Sequence, residues 1–246
     1  MKPAIVFLHG IGGAASAYAP QVDYFSRTHR ALAWNAPGYG GRPLGDFTFE
    51  GLARRLIEDL AAFDIHRFAL VGHSFGGMIA QQVARDFPQC LTHLVLAGTS
   101  PAFGNPAGEF QKQFIADRLR PLDEGRSMAD TAQDAIGEMM ADGADATGIG
   151  LAREAFAATP AETWRAAVTL LTTFDLRADL ASIDVPAMLI VGEHDRNAPA
   201  GMMRKMASKI PHAQFIQLDG AGHLIAQECP VRFNAAVEGF LQGEQR

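Results

Sequence analysis

Apolar residues in this chain gather in short runs separated by longer amphipathic stretches. The runs AIVFLH (4–9), RALAW (30–34), FALVGH (68–73), THLVLAG (92–98), AMLIVGE (187–193) and AQFIQLD (213–219) are dominated by Val, Ile, Leu, Ala and Phe. That is the pattern of parallel strands covered on both faces. Between them the periodicity becomes helical. Thr48 can cap a segment in which Leu52, Leu56, Leu60 and Phe63 form one apolar stripe, and Pro230 suits the first turn of a closing helix over about 230–242. Strands alternating with helices predict an α/β protein with a doubly wound, mostly parallel sheet of about six strands.

One interval breaks this rhythm. Residues 99–186 contain no strand pattern but several helix-like pieces, at about 108–120, 127–141, 150–158 and 161–174, with the Gly-rich ADGADATGIG (141–150) read as a separating loop. The sheet pattern resumes afterwards. The predicted organisation is therefore a core of residues 1–102 and 181–246 with a helical cap, 103–180, inserted into it.

Composition narrows the class. The chain has 246 residues, 48% of them hydrophobic, which suits one compact domain with an insertion. Its formal charge is −6 and no block of Lys or Arg occurs, so nucleic acid and anionic membranes find no electrostatic footprint and a small molecule is the expected partner. Cys90 and Cys229 are too few for a disulfide framework or a CxxC metal site, and a cytoplasmic monomer or homodimer is expected. Lys2 followed by AIVFL superficially resembles a signal sequence. The run stops at His9 and Gly10, too short for a signal core or a membrane span.

Candidate chemistry sits at the predicted strand ends. GHSFG (72–76) follows a strand and opens a helix, the context of a nucleophile elbow in which a tight turn presents Ser74 and tolerates only glycine at 72 and 76. A serine hydroxyl needs a base and the base needs an orienting acid. His223, in LDGAGHLIAQECP after the last strand, is the candidate base, and Asp195, in LIVGEHDRNAP after the fifth, the candidate acid. Asp195 has rivals in Glu193 and His194 and an alternative use as a cap for a helix near 199–209. His73 adjoins the serine and is expected to face elsewhere. A developing oxyanion needs donors: the Phe75 N–H at the helix start, and an N–H of the loop HGIGG (9–13), expected at Ile11.

Taken together, FLHGIGG, NAPGYGGRP (35–43), GHSFGG, VGEHD and GAGHL resemble the motifs of α/β-hydrolase-fold serine hydrolases in order and spacing over nearly the whole chain. FDLRADLASIDVPAMLIVGEHD looks most similar to the esterase and enol-lactonase branch. The resemblance implies hydrolysis of a carboxylic ester or lactone through an acyl-enzyme, with no cofactor and no metal. The chain departs from the family in two places: the family usually opens with an antiparallel hairpin before the HG strand, which this chain does not show, so six parallel strands without that hairpin are expected. Asn35 stands where the family often has an acid. A carbon–carbon bond hydrolase, a cofactor-free haloperoxidase and a receptor that retains the fold are the alternatives.

Substrate choice falls to the cap. Residues 103–180 carry 7 Lys plus Arg against 13 Asp plus Glu, a balance of −6 that accounts for the whole net charge. Such a field disfavours dianionic substrates unless an arginine such as Arg118, Arg126, Arg153 or Arg165 turns inward, and it also fits a solvated outer face. A neutral or monoanionic substrate is expected. His9, Phe103, Phe114, Met139, Met140 and Trp164 are the candidate pocket residues.

Overall fold

The structure, a computed structural model, describes residues 2–103 and 107–243; Met1, 104–106 and 244–246, which belong to the segments assigned above to core and cap, lie outside the described residues. The six apolar runs form the strands β1 (Ala4–Leu8), β2 (Arg30–Trp34), β3 (Phe68–His73), β4 (Leu91–Ala97), β5 (Ala187–Gly192) and β6 (Gln214–Leu218). They make one all-parallel sheet in the order β2-β1-β3-β4-β5-β6. β1, β3 and β5 are buried along their whole length, whereas the edge strands β2 and β6 are only half-covered, which is why their sequences admit Arg30 and Gln217.

Alternate residues of each strand feed two apolar layers. Val6, Leu8, Leu70, Leu94, Leu96 and Leu189 pack with the helices α2 (Phe49–Ala61), α3 (Phe75–Asp86) and α8 (Ala200–Ala207). Ile5, Phe7, Val71, Val95 and Ile190 pack on the other side with α1 (Ala19–Ser26), the short α9 (Ile225–Glu228) and α10 (Pro230–Leu241). Strand order reverses at β1, whose neighbours β2 and β3 follow it in sequence on opposite sides. In open parallel sheets the crevice beyond such a switch point is the usual place for a ligand.

Several helix boundaries differ from expectation. α2 ends at Ala61, after which Asp64 takes a left-handed φ of 57°. Phe63 is consequently 58% exposed, and Ile65, not Phe63, completes the apolar stripe in the core.

Among the described residues four α-helices lie between β4 and β5: α4 (Glu109–Asp123), α5 (Met128–Met139), α6 (Ala146–Ala157) and α7 (Ala161–Leu171). α6 starts a turn earlier than its Gly-rich sequence suggested, because the Asp145 carboxylate accepts the Gly148 N–H at 2.7 Å and caps it. Met128, Ile136, Ile149, Phe156, Trp164 and Val168 give these helices their own apolar cluster. An antiparallel bridge, Ala102 to Asp175, ties the two ends of the insertion together. Among the described residues no helix is long and apolar enough to cross a membrane.

Candidate active site

The residues singled out at strand ends converge beneath the inserted helices. Ser74 links β3 to α3 with φ 53° and ψ −117°, a left-handed conformation that is strained for any residue with a Cβ. The turn is held from several sides: the Ser74 N–H donates to the Ala97 carbonyl at 2.9 Å, and the Thr99 hydroxyl donates to the Ser74 carbonyl at 2.7 Å. Gly72 and Gly76 are required by close approach. A Cβ at 72 would strike the Gly76 carbonyl, and one at 76 would strike the carbonyls of Leu8 and His9, so Gly76 serves the contact with β1 rather than clearance between its own neighbours.

His223 follows β6 and Asp195 follows β5, and both are buried. Their hydrogen bond, Nδ1 to Oδ2, is 2.8 Å. The other Asp195 oxygen, Oδ1, accepts the N–H groups of Asn197 and Ala198 at 2.8 Å each, so the carboxylate is fully used and α8 receives no side-chain cap from it. Burial alone would raise the Asp195 pKa. The His223 hydrogen bond and charge, with the Ala198 N–H, outweigh that and leave it below the usual carboxylate value. Gly98 has φ 49° and a Cβ there would come within 3.0 Å of Asp195 Oδ2 and 3.3 Å of His223 Nδ1, so this glycine makes room for the pair. The rivals are set apart: Glu193 and His194 are exposed, and Glu193 instead accepts the Gly220 N–H at 2.8 Å.

The loop after β1 is equally constrained. His9 donates Nδ1–H to the Gly10 carbonyl at 2.8 Å and accepts the Ala36 N–H on Nε2 at 3.3 Å. Gly13 N–H also reaches the Gly10 carbonyl, and the Tyr39 hydroxyl donates to the Ile11 carbonyl at 2.7 Å. With those carbonyls turned to internal donors, the Ile11 peptide is fixed beside Ser74, whose Cβ lies 3.4 Å from where a Cβ on Gly10 would be. Phe75 is the first residue of α3, where a helix N–H has no intrahelical acceptor.

A cavity of about 370 Å³ connects these groups. Ser74, His223, His9 and Ile11 line it, together with Phe103, Phe114, Met139 and Trp164 from the insertion. Met140 does not. α5 ends at Met139, and Met140 is extended and packs into the insertion's own apolar cluster. His73, expected to face away, borders the cavity: its Nε2–H donates to the His223 carbonyl at 2.8 Å and its ring centre lies 4.7 Å from that of His223. Among the described residues no three His, Cys, Asp or Glu side chains come together as a metal site would need.

Sequence reasoning missed Glu228. This buried carboxylate accepts three backbone N–H groups: Leu224 on Oε1 at 2.8 Å, and Gly222 and Ala141 on Oε2 at 2.7 and 2.9 Å. It thus grips the loop on both sides of His223 and pins it to the end of α5. The His223 N–H completes the joint by donating to the Met139 carbonyl at 2.7 Å. The available signal was an acid five residues past the histidine inside the apolar segment LIAQE, a position where a charge survives only if it is fully hydrogen-bonded.

The two auxiliary histidines make acid stability predictable. Burial depresses His9 to about 4 and His73 to about 3, from an ordinary value of 6.5. Both rings are neutral in the fold and protonate once the chain unfolds, so between pH 6.5 and those values the unfolded state binds more protons. Their stabilisation is complete above that window and is lost as pH falls, at about 1.4 kcal/mol per pH unit for each ring. Guanidinium unfolding is expected to give a stability that drops steeply from about pH 6 to pH 4.5, with His9→Gln flattening the slope. A flat profile over that range would contradict the neutral, buried assignment.

A model of the alpha/beta hydrolase family matches residues 5–236. "Putative carbamate hydrolase RutD" of Pseudomonas syringae pv. syringae is 28% identical over 246 residues, spanning 97% of this chain and 93% of that protein. Among solved structures, the enol-lactonase from Burkholderia xenovorans superposes with a TM-score of 0.86 at 25% identity, covering 98% of this chain and 92% of that one. A hydrolase from Pseudomonas aeruginosa superposes with a TM-score of 0.85 at 29% identity, covering 98% and 90%.

Proposed function

The chain belongs to the alpha/beta hydrolase family, and from that premise we propose that it is a serine hydrolase cleaving a carboxylic ester or lactone through an acyl-enzyme. One observation carries the proposal. The buried His223–Asp195 hydrogen bond opens onto the same cavity as Ser74 on its strained turn.

In this reading Asp195 receives the Nδ1–H of His223, which leaves the Nε2 lone pair free to take the Ser74 proton. The serine oxygen attacks the carbonyl carbon. The oxyanion rests on the Phe75 and Ile11 N–H groups, and the protonated His223 hands its proton to the departing alkoxide. Water then enters and attacks the acyl carbon while His223 takes its proton; the C–Oγ bond breaks, His223 returns the proton to the Ser74 oxygen, and the acid is released. His9 and His73, held neutral by burial, do not compete as bases near pH 7 and act through position.

A carbamate presents a similar carbonyl, and the RutD relative is named for that bond, so carbamates belong in the first substrate panel beside aryl esters and lactones. The decisive test is a fluorophosphonate probe with peptide mapping. Stoichiometric labelling of Ser74, with turnover of an ester or lactone, is the expected result. No labelling would remove the serine mechanism and favour a receptor, and turnover confined to vinylogous diketones would move the reading to carbon–carbon bond hydrolysis.

A further inference from the structure

The acidic character of the insertion does not extend to the cavity. Of its 13 carboxylates, all are exposed except the half-buried Asp179, and none borders the cavity. The charged side chains lining it are Arg118 and Arg196, while His9 and His73 are neutral there. The charges on the cavity wall itself are therefore positive within a negative shell, while the Asp195 carboxylate lies behind His223 and does not border the cavity.

Arg118 is the better placed of the two. It lies on the stripe of α4 that also presents Phe110 and Phe114 at four-residue spacing, with its guanidinium 5.3 Å from the centre of the Phe114 ring. Phe110, 67% exposed, marks the outer end of this stripe and Arg118 the inner end, where its carbonyl accepts the Trp164 indole N–H at 3.2 Å. Eight helical residues separate them, about 12 Å. Of the other arginines that could have turned inward, Arg126 pairs with Asp134 and Arg165 with Asp123, and Arg153, half-buried with its Nε shielded and without a hydrogen-bond partner among the described residues, does not border the cavity. Arg118 also borders a smaller hollow of about 220 Å³ that contains Asp117, Asp134 and Glu138. Asp117 and Asp134 are taken by Arg120 and Arg126, and among the described residues no carboxylate pairs with Arg118.

A half-buried guanidinium on an aromatic wall, without an acid partner, is a site built for an incoming anion. We propose that Arg118 anchors a carboxylate on the substrate, so that the preferred esters or lactones have an apolar body and one anionic end remote from the scissile carbonyl. This rests on the serine-hydrolase reading above and deepens it. Arg196, exposed at the rim, steers the anion inward without fixing it.

Two aryl esters of equal chain length test it: p-nitrophenyl hexanoate, and the mono-p-nitrophenyl ester of adipic acid, whose carboxylate is too distant for rapid self-cleavage. The wild type is expected to prefer the adipate in kcat/KM by about tenfold or more, as for a charge-assisted contact. Arg118→Gln should collapse that ratio towards one mainly through the adipate KM, Arg118→Lys should keep part of it, and Arg118→Glu should invert it. Binding to the Ser74→Ala protein, read by Trp164 fluorescence, gives the same comparison without chemistry. No adipate preference in either assay, or a ratio erased by Arg196→Gln and not by Arg118→Gln, would overturn the anchor. If the binding preference is present but neither ester is hydrolysed and the fluorophosphonate leaves Ser74 unlabelled, the anchor stands and the serine mechanism fails.

Discussion

Ser74→Ala is expected to lower kcat for p-nitrophenyl hexanoate by about 10⁵- to 10⁶-fold, leaving only the residual rate that binding and oxyanion donors supply in a serine hydrolase. No neighbouring hydroxyl can stand in. Tyr18, Thr99 and Ser100 also border the cavity, but Tyr18 donates to the Leu8 carbonyl at 3.4 Å, Thr99 to the Ser74 carbonyl and Ser100 to the Ala102 carbonyl at 2.9 Å. The backbone supplies an independent readout. Because Ser74 sits at φ 53°, alanine retains the strain whereas glycine relieves it, so Ser74→Gly should be inactive yet melt above Ser74→Ala by an amount corresponding to about 1 kcal/mol. Activity within tenfold of wild type in either variant would end the assignment of Ser74 as nucleophile.

The elbow was legible because its requirements are local: one apolar run, one turn and one helix fix where residue 74 must point. Strands were legible for a related reason. A segment covered on both faces has to be apolar throughout, so the limits of the six strands lie within a residue of the apolar runs. Asp195 and His223 followed from topology, since parallel strands bring their carboxyl ends to one edge. Contacts across the chain were not legible. Glu228 meets Ala141 across 87 residues and His73 meets the His223 carbonyl across 150, and no periodicity encodes either pairing. Side-chain direction within the insertion was equally hidden: Met139 and Met140 are adjacent and chemically alike, and the end of α5 between them puts only the first in the cavity. Net charge was ambiguous for a similar reason. A balance of −6 on the insertion fits an acidic lining or a solvated outer face alike, and only the placement of side chains, with no insertion carboxylate at the cavity and Arg118 beside it, separates the two.

Asp195→Asn is expected to lower kcat/KM by about 10³- to 10⁴-fold, a loss of the size that follows when a triad histidine is held in the wrong tautomer. The hydrogen bonds dictate that outcome. Oδ1 of Asp195 is claimed by two backbone donors, Asn197 and Ala198, and Oδ2 by His223. Asparagine has one oxygen, and the two N–H groups of the rigid turn will take it. Its NH₂ group must then face His223 Nδ1, which can only accept. The ring proton moves to Nε2, and the atom that should receive the Ser74 proton has no lone pair to offer. Asp195→Ala removes this enforced tautomer and should be less damaging than asparagine, although it leaves two backbone donors without a buried acceptor and lowers the melting temperature. The carboxylate also contributes to folding. Its pKa lies below the unfolded value, so its stabilisation is present above the ordinary carboxylate range and fades as pH falls through the folded value; both variants lose it near pH 7. Because the asparagine defect is tautomeric, raising the pH to 9 should not restore its rate. Recovery of wild-type kcat/KM at high pH would show that Asp195 acts by charge alone and that the turn leaves the amide free to rotate.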